Sequence, residues 1–402
     1  MSQSVDGAFG AESDADVQTV VDAARRFARE RLNPHVHAWD EAGGFPREVY
    51  RQAAEAGLLA LGYPEELGGT PASWRLRNAV AQTLARETGS GGLHASLFSL
   101  GIGLPPIVRH GSPTLQQRVV PGVLRGERIA ALAITEPGGG SDVAQIRTTA
   151  RRDGDEWVID GEKVFITSGM RADWISMAVR TGEMEDGRWG SIPGARGISM
   201  IVVPGDATGL SRTELKKMGW WASDTAHLRL DGVRVPADCL VGSEGSGFKI
   251  VMSNFNGERL GIAALALGFA QACLDEALDW TRQRKTFGEP LVARQVIRHK
   301  LMDMRMRIDS TEAWVAALGR ELDQAERHGR ETPELVARIC LLKNHATQTM
   351  QFCADQAVQM LGGMGFMRGT KSERIYRECK VLMIGGGAEE IMKDLAARQL
   401  GL

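Results

Sequence analysis

The chain has 402 residues, 43% of them hydrophobic and 24% charged, with a net charge of −2. That length predicts two or three packed subregions rather than one core. Basic residues are scattered among acidic ones, which excludes an electrostatic case for nucleic acid or an anionic membrane surface as partner. Residues 1–16 are polar and acidic, unlike a signal or transit peptide. From Asp14 to about Arg125 the pattern is helical, with apolar residues three and four apart between Val17 and Leu32 and a stop at Asn33-Pro34. Phe45-Pro46 opens a helix expected over Glu48–Ala60, and further helices are expected at Ala79–Glu87 and Gln116–Leu124.

From Ile129 to about Val241, β-rich segments take over: Trp157–Ile166, Trp174–Arg180, Gly197–Pro204 and His227–Val235. Asp-Gly pairs at 153–154, 160–161 and 231–232 predict hairpins, and the Gly/Pro-rich stretch 184–196 predicts a mobile loop or an insertion. After Gly245 long helices return. Leu260–Leu274 carries no charge and should sit deep in a bundle. Helices near 291–328, 333–365 and 388–399 complete the set, with a break at Gly362-Gly-Met-Gly365. The expected fold class is α+β, with a helical domain (13–128), an antiparallel β domain (129–243) and a four-helix-bundle domain (244–402).

No run approaches the roughly 18–20 apolar residues that span a bilayer, so a soluble protein is expected. The five cysteines (Cys239, Cys273, Cys340, Cys353, Cys379) form no CxxC pair, and the eight histidines no HExxH. Reduced thiols, a cytoplasmic setting and no metal site follow as expectations.

The most informative stretch is Thr135-Glu-Pro-Gly-Gly-Gly-Ser-Asp142. Three glycines let the main chain approach a ligand without Cβ interference, and their N–H groups beside the Ser141 hydroxyl suit a phosphate. Phe165-Ile-Thr-Ser-Gly169 adds an aromatic and a hydroxyl two residues apart, on one strand face after a turn at Asp160-Gly161. Phosphate cradle, aromatic wall and hydroxyls together suit a flavin nucleotide.

These two motifs, with Arg284-Lys-Thr-Phe-Gly-Glu-Pro290 and Gln359-Met-Leu-Gly-Gly363, resemble the signatures of the acyl-CoA dehydrogenase family from Phe45 to Leu400. The resemblance implies FAD as cofactor, with Ile134, Thr135, Gly140, Ser141, Phe165, Ile166 and Thr167 meeting it from its own subunit. Many relatives carry tryptophan where Phe165 stands. Arg284, Lys285, Thr286, Phe287, Gln295, Gln359, Met360, Leu361, Gly362 and Gly363 would reach the FAD of an adjacent subunit, so a homodimer or homotetramer is implied. Ala388 and Glu390 would add contacts near the last helix.

The implied reaction is α,β-dehydrogenation of an acyl-CoA to the trans-2-enoyl-CoA, with electrons passed to an electron-transfer flavoprotein. Medium- and short-chain members carry their catalytic glutamate at the position of Gly386, where this chain has no side chain. Asn256-Gly-Glu-Arg-Leu260 resembles instead the segment holding the base of isovaleryl-CoA and long-chain acyl-CoA dehydrogenases, which assigns the role to Glu258. The Gly386 N–H would meet the thioester carbonyl, and its missing side chain would leave room for branched or long acyl chains. Glu389 and Glu390 are explained by the dipole of the last helix. Ser141, Asn256, Arg259 and Gly387 are implied substrate contacts, and Ser223-Asp-Thr225 are further candidates. A flavin monooxygenase or oxidase on the same fold, a dehydrogenase of carrier-protein thioesters and a non-catalytic partner subunit are the alternatives.

Overall fold

The computed structural model describes residues 12–182 and 194–402, so most of the 184–196 loop lies outside the described residues. The first region is helical: α1 (Asp14–Phe27), α2 (Val36–Ala42), α3 (Glu48–Glu55), α4 (Trp74–Thr88), α5 (Gly91–Leu97), α6 (Leu100–Gly103), α7 (Pro105–His110) and α8 (Pro113–Leu124). Ser13 and Asp16 form a reciprocal capping box that starts α1. Helix α3 stops at Glu55, short of the expected Ala60, because Gly57 turns left-handed at φ +74°.

The second region holds β1 (Ala130–Ala133), β2 (Thr149–Asp153), β3 (Glu156–Thr167), β4 (Trp174–Arg180), β5 (Ile198–Pro204), β6 (Leu210–Glu214), β7 (Thr225–Pro236) and β8 (Leu240–Val241). They form an eight-stranded sheet in the order β6-β7-β3-β2-β4-β5-β8, with β1 beside β4. Pairing is antiparallel except for β1 and β2 against β4.

Of the three Asp-Gly pairs, only Asp153-Gly154 turns a hairpin, joining β2 to β3. Asp160-Gly161 and Asp231-Gly232 lie inside unbroken strands and face each other at a shift in the β3–β7 register. The Gly232 N–H donates to Asp160 Oδ1 at 2.7 Å, so the pairs close a bulge where turns were expected.

The third region comprises α9 (Gly247–Gln283), the short β9 (Lys285–Thr286) and β10 (Glu289–Pro290), α10 (Gln295–Arg327), α11 (Pro333–Leu361), α12 (Gly363–Phe366), α13 (Lys371–Ile384) and α14 (Glu389–Gln399). Helix α13 was not expected as a separate element. Helix α9 is long and apolar enough to cross a bilayer, contrary to the expectation from run length. Yet 78% of its most apolar window is buried, against α4, α10, α11 and α13. It is the central helix of the bundle. At Gly268 an added Cβ would lie 2.7 Å from Ala85 Cβ, so glycine there lets α4 cross closely. All five cysteines are free and buried.

Candidate functional site

Two glycine-rich loops carry the chemistry-bearing groups. The first leaves β1 at Ile134, and Val164 N–H donates to Thr135 O at 2.9 Å, which fixes the loop beside β3. Glu136 turns inward. Its carboxylate accepts from Arg147 N (2.6 Å), Thr148 N (2.9 Å) and Lys163 Nζ (2.7 Å), while Lys163 also donates to Ile134 O at 3.1 Å. Burial works against the Glu136 carboxylate, but Lys163 and these donors outweigh it and hold its pKa below the usual range. The fully buried Lys163 is pushed down to about 8 by desolvation, against the pull of Glu136.

With the loop anchored from beneath, its upper side is open. An added Cβ would meet nothing within 4 Å at Gly138, only Asp142 O at 3.9 Å at Gly139, and Thr135 Cγ2 at 3.3 Å at Gly140. None of the three adopts positive φ, so backbone conformation does not demand glycine here. The glycines keep space clear outside the chain. The Gly139 N–H is used within the loop, bonded to Glu136 O at 3.1 Å. Those of Gly138, Gly140 and Ser141 donate to nothing among the described residues and are open to a phosphate.

Phe165 adjoins this loop at a second bulge, between Lys163 and Ile166 in the β3–β7 register. It takes a left-handed φ of +62° and is 68% exposed, which is costly on both counts without a ligand. Phe165 and half-buried Thr167 alternate with buried Val164 and Ile166, but a bulge, not a plain strand face, presents them. Exposed glycine N–H groups and a strained, bare aromatic ring fit a flavin nucleotide. Ile134 and Ile166 themselves are core side chains, leaving only main chain to a ligand.

The second loop, Gly385–Ala388, joins α13 to α14 and lies against α9. Gly386 and Gly387 are left-handed at φ +67° and +112°. An added Cβ at Gly386 would stand 3.7 Å from Glu258 Oε1 and 2.7 Å from Ile262 Cδ1. Glu258 thus reaches the place that a side chain at 386 would occupy. Its Oε2 is fully buried and has no hydrogen-bond partner among the described residues, and burial pushes the carboxyl up to about 7 against the pull of Arg259 and Lys343. The N–H groups of Gly386 and Gly387 donate to nothing among the described residues.

Arg259 and Asn256 are buried and engaged. Arg259 donates to Gly386 O (3.1 Å) and Asn256 Oδ1 (3.3 Å) and stacks on Phe255, while Asn256 donates to Glu331. Arg259 thereby braces the second loop, and Asn256 helps orient it. Ser223, Asp224 and Thr225 are all buried, with Ser223 on Ser96 (2.8 Å) and Asp224 on Arg171 (3.0 Å). Glu389 bonds Gln348 (2.6 Å) and Lys393 (2.7 Å), and Glu390 is exposed beside it in the first turn of α14.

Arg284, Lys285, Phe287, Gln295, Gln359, Gly362 and Gly363 are all exposed, Phe287 at 98% and with φ +53°. Thr286 is half-buried, and its carbonyl accepts from Arg294. Met360 and Leu361 are core side chains and offer only main chain.

The chain matches the acyl-CoA dehydrogenase N-terminal domain over residues 14–127, the middle domain over 131–233 and the C-terminal domain over 245–401. It belongs to the acyl-CoA dehydrogenase family. A cyclohexane-1-carbonyl-CoA dehydrogenase from Geobacter metallireducens is 35% identical, covering 96% of this chain and 97% of that protein. A probable acyl-CoA dehydrogenase from Mycobacterium abscessus superposes with a TM-score of 0.89 at 42% identity, over 96% and 98% of the two chains. A glutaryl-CoA dehydrogenase from Mycobacterium smegmatis, solved with FADH2, superposes with a TM-score of 0.86 at 26% identity, over 96% and 95%.

This acyl-CoA dehydrogenase is therefore an FAD-dependent oxidoreductase, and the open first loop with Phe165 fits that cofactor. Sequence reasoning missed four residues that shape its site: Glu136, Lys163, Ile262 and Lys343. Lys163 and Lys343 carried a signal, each being a charge on an otherwise apolar strand face or helix stripe; Lys343 follows Leu335, Ile339 and Leu342 and precedes Ala346.

Proposed function

We propose that Glu258 is the base that takes the α-proton of the acyl-CoA thioester, yielding the trans-2-enoyl-CoA. The observation that carries this reading is the 3.7 Å between Glu258 Oε1 and the Cβ position of Gly386. A carboxylate entering from α9 thereby serves a spot that the adjacent loop leaves without a side chain. Its pKa, lifted to about 7, suits proton abstraction near neutral pH. Gly386 N–H, without an acceptor among the described residues, donates to the thioester carbonyl and stabilises the enolate-like charge as the proton leaves. Bound FAD supplies the acceptor for the β-hydride, held by the Gly138–Ser141 main chain and the Phe165 ring.

Ile262 Cδ1 fills the space beside Gly386, where an empty gap was expected. The room for α- and β-substituents is thus set by Ile262, and the site takes branched or long acyl chains to the extent that this side chain turns aside. The exposed set around Arg284 and Gln359 completes the FAD site of a second subunit in a dimer or dimer of dimers, and an electron-transfer flavoprotein reoxidises the enzyme.

Anaerobic mixing with a panel of straight and branched acyl-CoAs tests the reading. The wild type bleaches its flavin, whereas Glu258→Gln keeps FAD and loses bleaching by about 10²–10⁴-fold. Full retained activity in that variant excludes Glu258 as base. Oxygen consumption coupled to turnover would point to an oxidase or monooxygenase, and reduction only by carrier-protein thioesters would change the substrate class.

A further inference from the structure

Lys343 lies on α11 with its side chain completely buried. Its ammonium donates to Met383 O at 3.0 Å, in the last turn of α13, and to Gly387 O at 2.8 Å within the glycine loop. The next residue, Asn344, donates to Glu389 O at 2.9 Å. From the opposite side Arg259 takes the middle carbonyl, Gly386 O. All three side chains therefore grip carbonyls, and the N–H groups of Gly386 and Gly387 have no acceptor among the described residues. A buried ammonium costs several kcal/mol unless it is bonded or paired, and an apolar residue of similar length would fill the same volume without that cost. Its retention here calls for a role in which its charge matters.

We propose that Lys343 is a positioning residue for the dehydrogenation: it fixes the Gly385–Ala388 loop by its carbonyls and, as a cation, favours the ionised form of Glu258. The proposal rests on Glu258 being the base. The charged and titratable groups facing this ammonium are Glu258 and Arg259 from α9, Cys340 from its own helix and Glu389 at the start of α14. Burial, with Arg259 beside it, holds the ammonium down to about 8 against the two glutamates. Both shifts follow from burial, with the opposite charge of the other group acting against it.

The test compares wild type, Lys343→Met and Lys343→Arg as FAD-loaded proteins. Two quantities are followed against pH: anaerobic flavin reduction by one acyl-CoA, and the Glu258 carboxyl by difference infrared spectroscopy before substrate is added. The methionine variant should move both midpoints up by about one pH unit, and arginine should restore them. If Lys343→Met does not fold, Lys343→Gln, which keeps an N–H donor without the charge, should show the same rise. A folded, flavin-loaded neutral variant with both midpoints unmoved overturns the proposal. Glu258→Gln run alongside separates the two readings: activity surviving there overturns the base assignment, whereas activity lost there with an unmoved midpoint in Lys343→Met overturns only the positioning role.

Discussion

The two glycine loops look alike in sequence and are built in opposite ways. Under Thr135–Asp142 lies a buried anion: Glu136 gathers main-chain N–H groups and the Lys163 ammonium, and the glycines above it keep ordinary backbone angles. Under Gly385–Ala388 lie two buried cations: Arg259 and Lys343 gather carbonyls, and the glycines take left-handed angles that other residues rarely adopt. In the first loop glycine clears space for a ligand, and in the second it permits a fold of the chain. In the second loop the buried cations take carbonyls and leave the Gly386 and Gly387 N–H groups without an acceptor among the described residues. In the first, the buried carboxylate binds N–H groups of Arg147 and Thr148 outside the loop, and those of Gly138, Gly140 and Ser141 have no acceptor there. Glycine content alone does not distinguish these designs; what lies beneath the loop does.

The largest effect that sharpens the comparison comes from Glu258, the proposed base, between α9 and the second loop. Glu258→Gln removes the proton acceptor, and the rate falls by about 10²–10⁴-fold. The stability change has the other sign. A carboxyl raised from 4.5 to about 7 holds its proton in the folded protein where the unfolded chain has lost it. Wild-type stability therefore falls as pH rises between those values, by up to roughly 3 kcal/mol. Glu258→Gln should remove that slope and be more stable than wild type above pH 7 in denaturant titrations. A lower stability at all pH values would show that the carboxylate is held for structure and not for chemistry.

Next in size is the anchor of the first loop. Glu136→Ala leaves the Lys163 ammonium buried without its partner and should cost about 3–5 kcal/mol, with FAD released on gel filtration. Replacing both residues by Gln and Met should recover much of that loss. If the single and double variants are equally unstable, the pair is not what holds the loop.

The order helical, β-rich, helical was legible because periodicity and turn residues are local signals, and β3, β4, β5 and β7 match the expected strands to within two residues. Strands β1, β2, β6 and β8 are too short to carry a pattern and were not named. Trp174–Arg180 is a strand in both readings. The Asp160-Gly161 turn failed because a bulge and a hairpin share the same local residues, and only the pairing of β3 with β7 distinguishes them. At the site, the motif singled out Glu258, Arg259 and Asn256, but not which way each side chain turns. On a helix, residues one and two positions from Glu258 point about 100° and 200° away, toward Gly386 O and Glu331. Ile262 was not legible, and Lys343 showed only as a charge within an apolar stripe, since what each touches depends on how the second loop lies across α9 and α11.

A smaller effect probes the second loop directly. Gly386→Ala places a methyl 2.7 Å from Ile262 Cδ1 on a left-handed backbone, and should cost about 1–3 kcal/mol. Ile262→Ala relieves that clash and widens the site. It should shift kcat/KM toward α-branched over straight acyl-CoAs by roughly tenfold. An unchanged preference in Ile262→Ala would place the acyl chain elsewhere.

The smallest effect returns to the first loop, at Phe165. Its left-handed angle costs about 1–2 kcal/mol in a residue with a Cβ, and its exposed ring gains nothing from burial within the described structure. Phe165→Gly therefore removes strain and aromatic surface together. The FAD-free protein should gain stability by about that amount, apart from the added freedom of glycine in the unfolded chain. Its affinity for FAD should fall, because a stacked aromatic contributes about 0.5–1.5 kcal/mol beyond its area. Opposite signs in the two measurements would mean that the bulge is kept for the flavin. If stability and affinity fall together, Phe165 supports the sheet, and the first loop would be shaped by packing like the second.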